Sequence, residues 1–183
     1  MAKRTGLIIV YTGDGKGKTS ASLGAAMRAL GHGWKVLVIQ FFKGDWPVVY
    51  GEVELAKRLY PQMEVLQLGR GFVKIMGDKK PLQEHVEAAQ SALQLTREKM
   101  LSGQYDLIIL DEINYAIQYM DFKLIELDDV IQLLKEKPPQ THLILTGRNA
   151  HPKVIEMADL VTEMREVKHP MKKGVPAQQG IDF

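Results

Sequence analysis

The sequence predicts an α/β fold, a three-layer sandwich whose mostly parallel sheet of about six strands carries helices on both faces. Three observations predict it. Short apolar runs recur along the chain, helical stretches separate them, and a glycine-rich segment joins the first apolar run to the first helix. A chain of 183 residues with 45% hydrophobic content can bury a sizeable core, so we expect residues 1–183 to form a single domain.

The apolar runs have the length of strands that are mostly buried on both faces of a parallel sheet. Five of them are predicted strands: residues 7–11, 35–42, 63–68, 105–110 and 142–145. Residues 160–167 could form a sixth strand.

The stretches between these runs are predicted helices. They are residues 19–30, 51–59, 82–101, 127–135 and 152–157, with a weaker signal at 115–119. Gly31 and Gly33 follow the first helix and Gly103 follows the long one, as is usual at helix ends.

Two stretches fit no element. Residues 69–81 contain three glycines and exposed-looking apolar side chains, and residues 168–183 combine proline, glycine and lysine without periodicity. Loops that leave the carboxyl ends of strands form the ligand crevice of an open α/β sheet. Residues 69–81 are therefore a candidate wall for a second substrate, and an ordinary mobile surface loop is the alternative.

Composition excludes several kinds of chemistry. The 24 Lys and Arg nearly balance 22 Asp and Glu, and a formal charge of +2 does not require nucleic acid or an anionic membrane as partner. We find no apolar run long enough for a bilayer and no signal peptide in residues 1–5, so we expect a cytoplasmic protein. The absence of cysteine excludes disulfides and thiol redox centres, so any electron must come from outside the chain.

The glycine-rich segment is the most informative motif. It reads Thr12-Gly13-Asp14-Gly15-Lys16-Gly17-Lys18-Thr19-Ser20. It matches the phosphate-binding pattern G-x-x-x-x-G-K-[ST], except that Thr12 replaces the first glycine, whose freedom Gly13 and Gly15 could supply. Backbone N–H groups and a helix N-terminus would cradle phosphate, with Lys18 on its oxygens and the Thr19 hydroxyl in a Mg²⁺ shell. A glycine-rich turn with surface lysines is the alternative.

A second phosphate-site signal lies at the end of a predicted strand. Four apolar residues, 107–110, run into Asp111 and Glu112, and such a carboxylate pair beside a phosphate loop can hold Mg²⁺ directly or through water. Asp111 could also cap a helix, which is compatible with a metal role, and Glu112 could instead act as a general base for water, as in a hydrolase.

Arg148 follows another predicted strand. The segment Thr146-Gly147-Arg148-Asn149 would bring this arginine to the carboxyl edge of the sheet, where it could contact phosphate or ribose. A solvated or ion-paired arginine is the alternative.

Taken together, these residues resemble the P-loop ATP:corrinoid adenosyltransferases, which act on cob(I)alamin or cob(I)yrinic acid a,c-diamide. The resemblance runs from about residue 6 to the last residue. Beyond the phosphate loop it rests on Gln40-Phe41-Phe42-Lys43-Gly44-Asp45-Trp46-Pro47, Gly51-Glu52, Leu110-Asp111-Glu112, Thr146-Gly147-Arg148, Val167-Lys168-His169-Pro170, Gly174, Ala177-Gln178 and Gly180-Ile181-Asp182-Phe183. It implies a P-loop NTPase fold of the RecA-like kind.

The resemblance also implies a reaction. The Co(I) of a corrinoid attacks the 5′ carbon of ATP and the whole triphosphate leaves, in adenosylcobalamin biosynthesis or salvage. Residues 12–20 and Arg148 would bind ATP, with Lys18, Thr19 and Glu112 as the catalytic residues. Thr19, Glu112 and Asp111 would hold Mg²⁺ or Mn²⁺. Because cobalt supplies the nucleophile, no protein base is required.

Phe72 matches the aromatic residue of the family's corrinoid-binding loop, which strips the lower axial ligand from cobalt. Relatives with a Gly-Phe-x-Trp loop have a second aromatic residue where this chain has Lys74, and Ile75 or Met76 could replace it. Many relatives also carry an N-terminal extension over the corrinoid. Here the phosphate loop begins near residue 12, so we expect a less enclosed corrinoid or one covered by a partner subunit.

The partners implied are a corrinoid, an external reductant such as a flavoprotein, and a second copy in a homodimer. Two other functions stay open from the residues alone. One is a small-molecule kinase or NTPase, and the other is a non-catalytic, ATP-gated module that binds or delivers a corrinoid.

Overall fold

The structure, a computed structural model, describes residues 4–45, 48–75, 77–118 and 121–183. The strands are β1 (Ile8–Thr12), β2 (Val36–Gln40), β3 (Met63–Gln67), β4 (Leu107–Asp111), β5 (His142–Thr146) and β6 (Leu160–Glu163). The helices are α1 (Lys18–Gly31), α2 (Gly51–Leu59), α3 (Leu82–Leu101), α4 (Ile113–Ile117), α5 (Leu127–Lys135) and α6 (Pro152–Met157). A 3₁₀ helix at Pro170–Lys173 lies within the stretch predicted to be irregular.

The strands form one parallel sheet in the order β3-β2-β4-β5-β1-β6. Alternate side chains of the central strands enter two separate cores. Leu37 and Ile39 pack in the core that α3 and α5 cover, whereas Val36 and Val38 pack in the core beneath α1 and α2. This arrangement confirms the predicted α/β fold with helices on both faces of a six-stranded sheet.

Position in the sheet decides how well each strand matches its predicted burial. Every residue of β2 and β4 is buried, because each has a neighbouring strand on both sides and helices above and below. The expectation of burial on both faces, made for the five clear runs, is wrong for β3 at one edge; no burial was expected of β6 at the other. Most of β3 is half-buried, and all four residues of β6 are exposed.

The weakest predicted helix is displaced. The signal at 115–119 corresponds to α4, which begins at Ile113 and ends at Ile117; Tyr119 lies outside the described residues. Among the described helices, none is long and apolar enough to cross a membrane.

The loops after β2 and β3 are packed backbone to backbone. Gly44 N–H donates to the Leu68 carbonyl oxygen (3.0 Å), and a Cβ on Gly69 would lie 2.0 Å from the Phe41 carbonyl oxygen. Gly69 also has a φ of +83°. Glycine is therefore needed at position 69 for both space and backbone conformation.

We predict that Gly69→Ala destabilises the protein far more than Gly77→Ala. Both positions have left-handed φ angles, which cost alanine about 1–2 kcal/mol. An added Cβ at Gly77 meets nothing within 4 Å, so Gly77→Ala should cost little more than that. Gly69→Ala adds a backbone clash and should lower the free energy of unfolding by roughly 3–4 kcal/mol in all.

Chemical denaturation of both variants beside the wild type measures the difference. Equal destabilisation by the two substitutions would mean that the β2 and β3 loops are not packed as described.

Candidate active site

The phosphate loop is shaped by the segment that follows β6. Gly13 and Gly17 have φ angles of +92° and +118°, and Gly17 is the N-cap of α1. Gly15 N–H donates to the Met164 carbonyl oxygen (2.7 Å), and a Cβ on Gly13 or Gly15 would approach the backbone there to 2.4–2.8 Å. These two glycines therefore supply the freedom and space that Thr12 cannot.

Lys18 lies at the centre of this loop, and the residue is 7% exposed. Its Nζ donates to the carbonyl oxygens of Gly13 (2.7 Å) and Gly15 (2.8 Å). Burial lowers the pKa of Lys18 below its ordinary value, and the nearby Glu112 carboxylate opposes that shift. Neutral carbonyls thus position the ammonium without neutralising it, which leaves its charge for an anion.

Asp111 joins the loop to the end of the sheet. Its Oδ1 accepts hydrogen bonds from the hydroxyls of Thr19 (2.7 Å) and Thr146 (2.9 Å). Its Oδ2 lies 3.3 Å from Lys43 Nζ, and Asp111 is 1% exposed. Thr19 and Asp111, two of the three residues expected to hold a divalent cation, are thus in direct contact.

Lys43 is a site residue that the sequence reasoning did not assign. Its Nζ is 3.4 Å from Glu52 Oε1, which also accepts from Gln40 Nε2 (2.9 Å), and it lies 4.2 Å from the centroid of the Tyr50 ring. Burial works to lower the pKa of Lys43, but Asp111 and Glu52 outweigh it and the pKa is raised. The available signal was a lysine just beyond the buried strand β2.

Glu112 adopts an unusual backbone conformation, with a φ of +68° at the N-cap of α4. Its N–H donates to Thr146 Oγ1 (2.9 Å), and its side chain makes no capping hydrogen bond. Asp111 is therefore not the cap, and that alternative is wrong. Burial and, after it, the neighbouring Asp111 carboxylate raise the pKa of Glu112 to about 7.

Phe72 belongs to an aromatic cluster with Phe42 and Tyr115. Its ring stacks on Phe42 (centroids 5.0 Å apart, planes at 17°), and Tyr115 tilts against both at 5.8 and 6.5 Å. At the position of the absent second aromatic residue, Lys74 has a φ of +57° and its Nζ lies 4.7 Å from the Phe122 ring centroid.

Asp78 ties this loop to α3. Its carboxylate accepts from the N–H groups of Lys74 (3.0 Å) and Lys80 (3.3 Å) and lies 3.1 Å from Nε2 of the buried His85. The loop after β3 thus has defined contacts between residues 74 and 85. Met76, a candidate for the second aromatic position, lies outside the described residues.

A cavity of about 370 Å³ lies between the phosphate loop and the aromatic cluster. We call it the aromatic cavity. Its lining includes the charged residues Lys16, Lys18, Glu112 and Arg148 together with Phe72, Ile75 and Tyr115. Cations suited to phosphate therefore share a cavity with apolar side chains.

A second cavity of about 720 Å³, here called the apolar groove, runs between α1 and α2. It begins at residues 16–20, Lys43, Glu52 and Glu112. Its apolar walls include Leu23, Met27, Leu30, Leu55 and Leu59, and residues 180–183 lie along it. The phosphate loop thus borders two cavities of different character.

The structure brings most of the predicted site residues together. Lys18, Thr19, Asp111 and Glu112 gather where β1 and β4 end, and Asp14, Gly15, Lys16, Arg148 and Phe72 line the aromatic cavity. Thr12 faces the protein interior, where its hydroxyl accepts from Ala150 N–H (3.1 Å). Arg148 is half-exposed, and its Nε lies 3.8 Å from Asp14 Oδ1, so the ion-paired alternative also holds.

Among the described residues, no group of three or more His, Cys, Asp or Glu side chains could hold a metal ion. A metal at Thr19, Asp111 and Glu112 would therefore have two carboxylates and a hydroxyl from the protein. The remaining coordination positions would be left for water and phosphate oxygens, as is common for Mg²⁺.

Comparison with known proteins agrees with this geometry. The chain is 40% identical over 178 residues to a corrinoid adenosyltransferase of Escherichia coli K12, an alignment that covers 97% of this chain and 86% of the relative. It is 42% identical over 188 residues to one from a Sinorhizobium species, covering 100% and 84%.

Among solved structures, the flagellar accessory protein FlaH of Methanocaldococcus jannaschii matches with a TM-score of 0.56 and 14% identity, over 87% of this chain and 71% of that one. This likeness concerns the fold alone and supports the RecA-like P-loop architecture. Residues 4–183 match the family described as ATP:corrinoid adenosyltransferase BtuR/CobO/CobP. The chain belongs to the family of P-loop ATP:corrinoid adenosyltransferases.

Proposed function

We propose that this protein transfers the 5′-deoxyadenosyl group of ATP to the Co(I) of a corrinoid and releases triphosphate. The observation that carries the proposal is the aromatic cavity, whose lining includes both the cations Lys18 and Arg148 and the aromatic rings of Phe72 and Tyr115. A transfer between a polyanion and a large, largely apolar ring needs these two surfaces side by side.

The phosphate loop and its cations serve the leaving group. As the bond from the 5′ carbon to oxygen breaks, negative charge gathers on triphosphate. Backbone N–H groups, Lys18, Lys16 and Arg148 would stabilise that charge. Because reduced cobalt is the nucleophile, Glu112 has no proton to abstract. We assign Glu112 to charge and metal binding.

The residues at the end of β4 fit a divalent cation. Asp111 Oδ2 is buried with the Lys43 ammonium 3.3 Å away, Thr19 has a hydroxyl oxygen beside Asp111 Oδ1, and Glu112 is a carboxyl group with a raised pKa, for which a cation would favour ionisation. Thr19, Asp111 and Glu112 would hold Mg²⁺ or Mn²⁺. A bound cation would withdraw charge from the departing triphosphate.

The aromatic cluster serves the corrinoid. Phe72 rests on the buried Phe42 and against Tyr115, so its ring is supported from behind and can press on an apolar ligand face without collapsing. We propose that this surface excludes water and the lower axial ligand from cobalt, which eases reduction from Co(II). Ile75, which lines the same cavity, is our candidate for the missing second aromatic residue.

The electron for this reduction would come from another protein, since the chain has no cysteine. A flavoprotein suits one-electron delivery. We further propose that the protein works in the cytoplasm as a homodimer. Sedimentation at assay concentration tests the dimer.

The reaction can be tested by anaerobic incubation with ATP, Mg²⁺ and chemically reduced cobalamin. We expect an adenosylcobalamin spectrum and stoichiometric triphosphate. ADP with a phosphorylated acceptor would indicate a kinase, ADP with inorganic phosphate an NTPase, and binding without turnover a delivery module.

We predict that Lys18→Ala lowers kcat/KM for ATP by roughly 100-fold or more while the fold is retained, because it removes a cation aimed at the leaving group. Circular dichroism should match the wild type. Lys153→Ala, which removes an exposed charge on α6, is the control and should keep full activity. Unchanged turnover in Lys18→Ala would contradict the assignment of the phosphate loop.

We predict that Phe72→Ala reduces the rate much more when the assay starts from Co(II) with an electron donor than when it starts from chemically reduced Co(I). The reason is that Phe72 acts on the coordination of cobalt before reduction. Parallel assays with the two starting oxidation states measure this ratio. Equal losses in both would limit Phe72 to binding.

We predict that Glu112→Gln raises the free energy of unfolding of the metal-free protein at pH 8 while it lowers activity. A folded-state pKa of about 7 lies above the ordinary glutamate pKa of 4.5, so the native carboxyl holds its proton more tightly than the unfolded one. The free energy of unfolding of the wild type therefore falls as the pH rises from about 4.5 to about 7. Glu112→Gln has no carboxyl group at this position, so its free energy of unfolding lacks this decrease.

Urea unfolding in EDTA at pH 5 and pH 8 measures this effect, with Glu156→Gln on the exposed face of α6 as the control. The increase in the free energy of unfolding caused by Glu112→Gln should be larger at pH 8 than at pH 5. A pH-independent difference would mean that Glu112 is not held in a protonated, buried state.

A further inference from the structure

The last residues of the chain contact the phosphate loop through a small anchor. Residues 170–181 are all exposed, whereas Asp182 and Phe183 are half-buried. We call residues 174–183 the tail. A tail that is exposed along its length and held at its end can detach without disturbing either core.

The anchor is an ion pair between Asp182 and Lys16 of the phosphate loop. A local turn presents the carboxylate: Asp182 Oδ2 accepts from Gln178 N–H (2.8 Å), and Gly180 N–H donates to the Phe183 carbonyl oxygen (2.8 Å). The hydrogen bond from Lys16 holds the pKa of Asp182 below its usual range, so the carboxylate stays charged near neutral pH.

This anchor lies where a nucleotide would place its phosphates. Residues 180–183 line the phosphate end of the apolar groove together with Lys16, Lys18 and Thr19. Lys16 also lines the aromatic cavity. The tail carboxylate therefore pairs with a cation that the phosphate loop offers to its ligand.

Two anions then compete for one ammonium group. Triphosphate carries several negative charges, and an aspartate carboxylate beside it would repel it while occupying Lys16. The ion pair is weak enough for triphosphate to displace it, since the Lys16 and Asp182 side chains are 44% and 21% exposed. Exposed pairs of this kind contribute little, and they contribute less as salt increases.

We propose that the tail is a latch that occupies the phosphate loop in the empty enzyme and is displaced by the triphosphate of the incoming nucleotide. This inference rests on the proposed function, because it takes the loop as the triphosphate site. The same competition would favour release of triphosphate after transfer, as the carboxylate returns to Lys16.

The first test is binding of ATP and of inorganic tripolyphosphate to Asp182→Asn, measured by calorimetry. Asparagine keeps the shape of the side chain and removes the competing charge. We expect the Kd for both ligands to fall roughly threefold, the scale of a partly exposed ion pair. Glu156→Gln, which makes the same change in net charge on α6, should bind like the wild type.

The outcomes separate the latch from the proposed function. If the wild type binds tripolyphosphate and Asp182→Asn binds it equally or more weakly, the latch is wrong and the phosphate site stands. If the wild type binds no tripolyphosphate, the phosphate site fails and the latch fails with it.

The second test follows the tail itself. The chain has no cysteine, so Ile181→Cys gives a unique position for a nitroxide spin label at a side chain that is 71% exposed. We expect the spectrum to narrow when tripolyphosphate is added, and to be narrow without ligand when Lys16→Met is also present. A tail that becomes more immobile on adding the ligand would be a lid over the nucleotide and would overturn the latch.

Discussion

The site depends on one buried carboxylate. Asp111 ends β4, is 1% exposed, and holds Thr19 of α1, Thr146 of β5 and Lys43 from the loop after β2. A charge in such a place is tolerated only when its oxygens are paired, and here two hydroxyls and an ammonium do this. The loops of three neighbouring strands are thereby fixed relative to the start of α1. Loss of any partner would leave part of a buried charge uncompensated.

The position and the backbone conformation of Glu112 show that this arrangement lowers the stability of the folded protein. The chain turns through a left-handed conformation directly after Asp111, and a second carboxyl group is brought beside the first. Neither feature helps the protein to fold, since like charges repel and a non-glycine residue at positive φ is strained. Both would become useful with the cation and the polyanion that we propose for this site. The site therefore holds its charges in position before the ligands arrive, and the two well-packed cores of the sheet maintain it.

The sequence predicted what local pattern controls and missed what depends on distant contacts. The runs that became β2 and β4 were clear because central parallel strands are apolar throughout, whereas the exposure of β6 follows from its place at the sheet edge. The phosphate loop, Asp111 and Arg148 could be proposed as site residues because each lies in a short motif at or just after the end of a predicted strand. Lys43 was left without a role, because its buried partner Asp111 is distant in sequence. The contact of Asp182 with Lys16 spans almost the whole chain and has no local signature.

The two cavities constrain how the proposed substrates could lie. If the 5′ carbon must meet cobalt, the ribose end of ATP faces Phe72 in the aromatic cavity, and the phosphates extend from there toward Lys18 and Thr19. The far end of the triphosphate then points toward the mouth of the apolar groove, where Lys16 and Asp182 lie. In this arrangement a triphosphate that departs whole would have to move away from the bound corrinoid. The pairing of Lys16 with Asp182 would therefore act on the triphosphate that must leave.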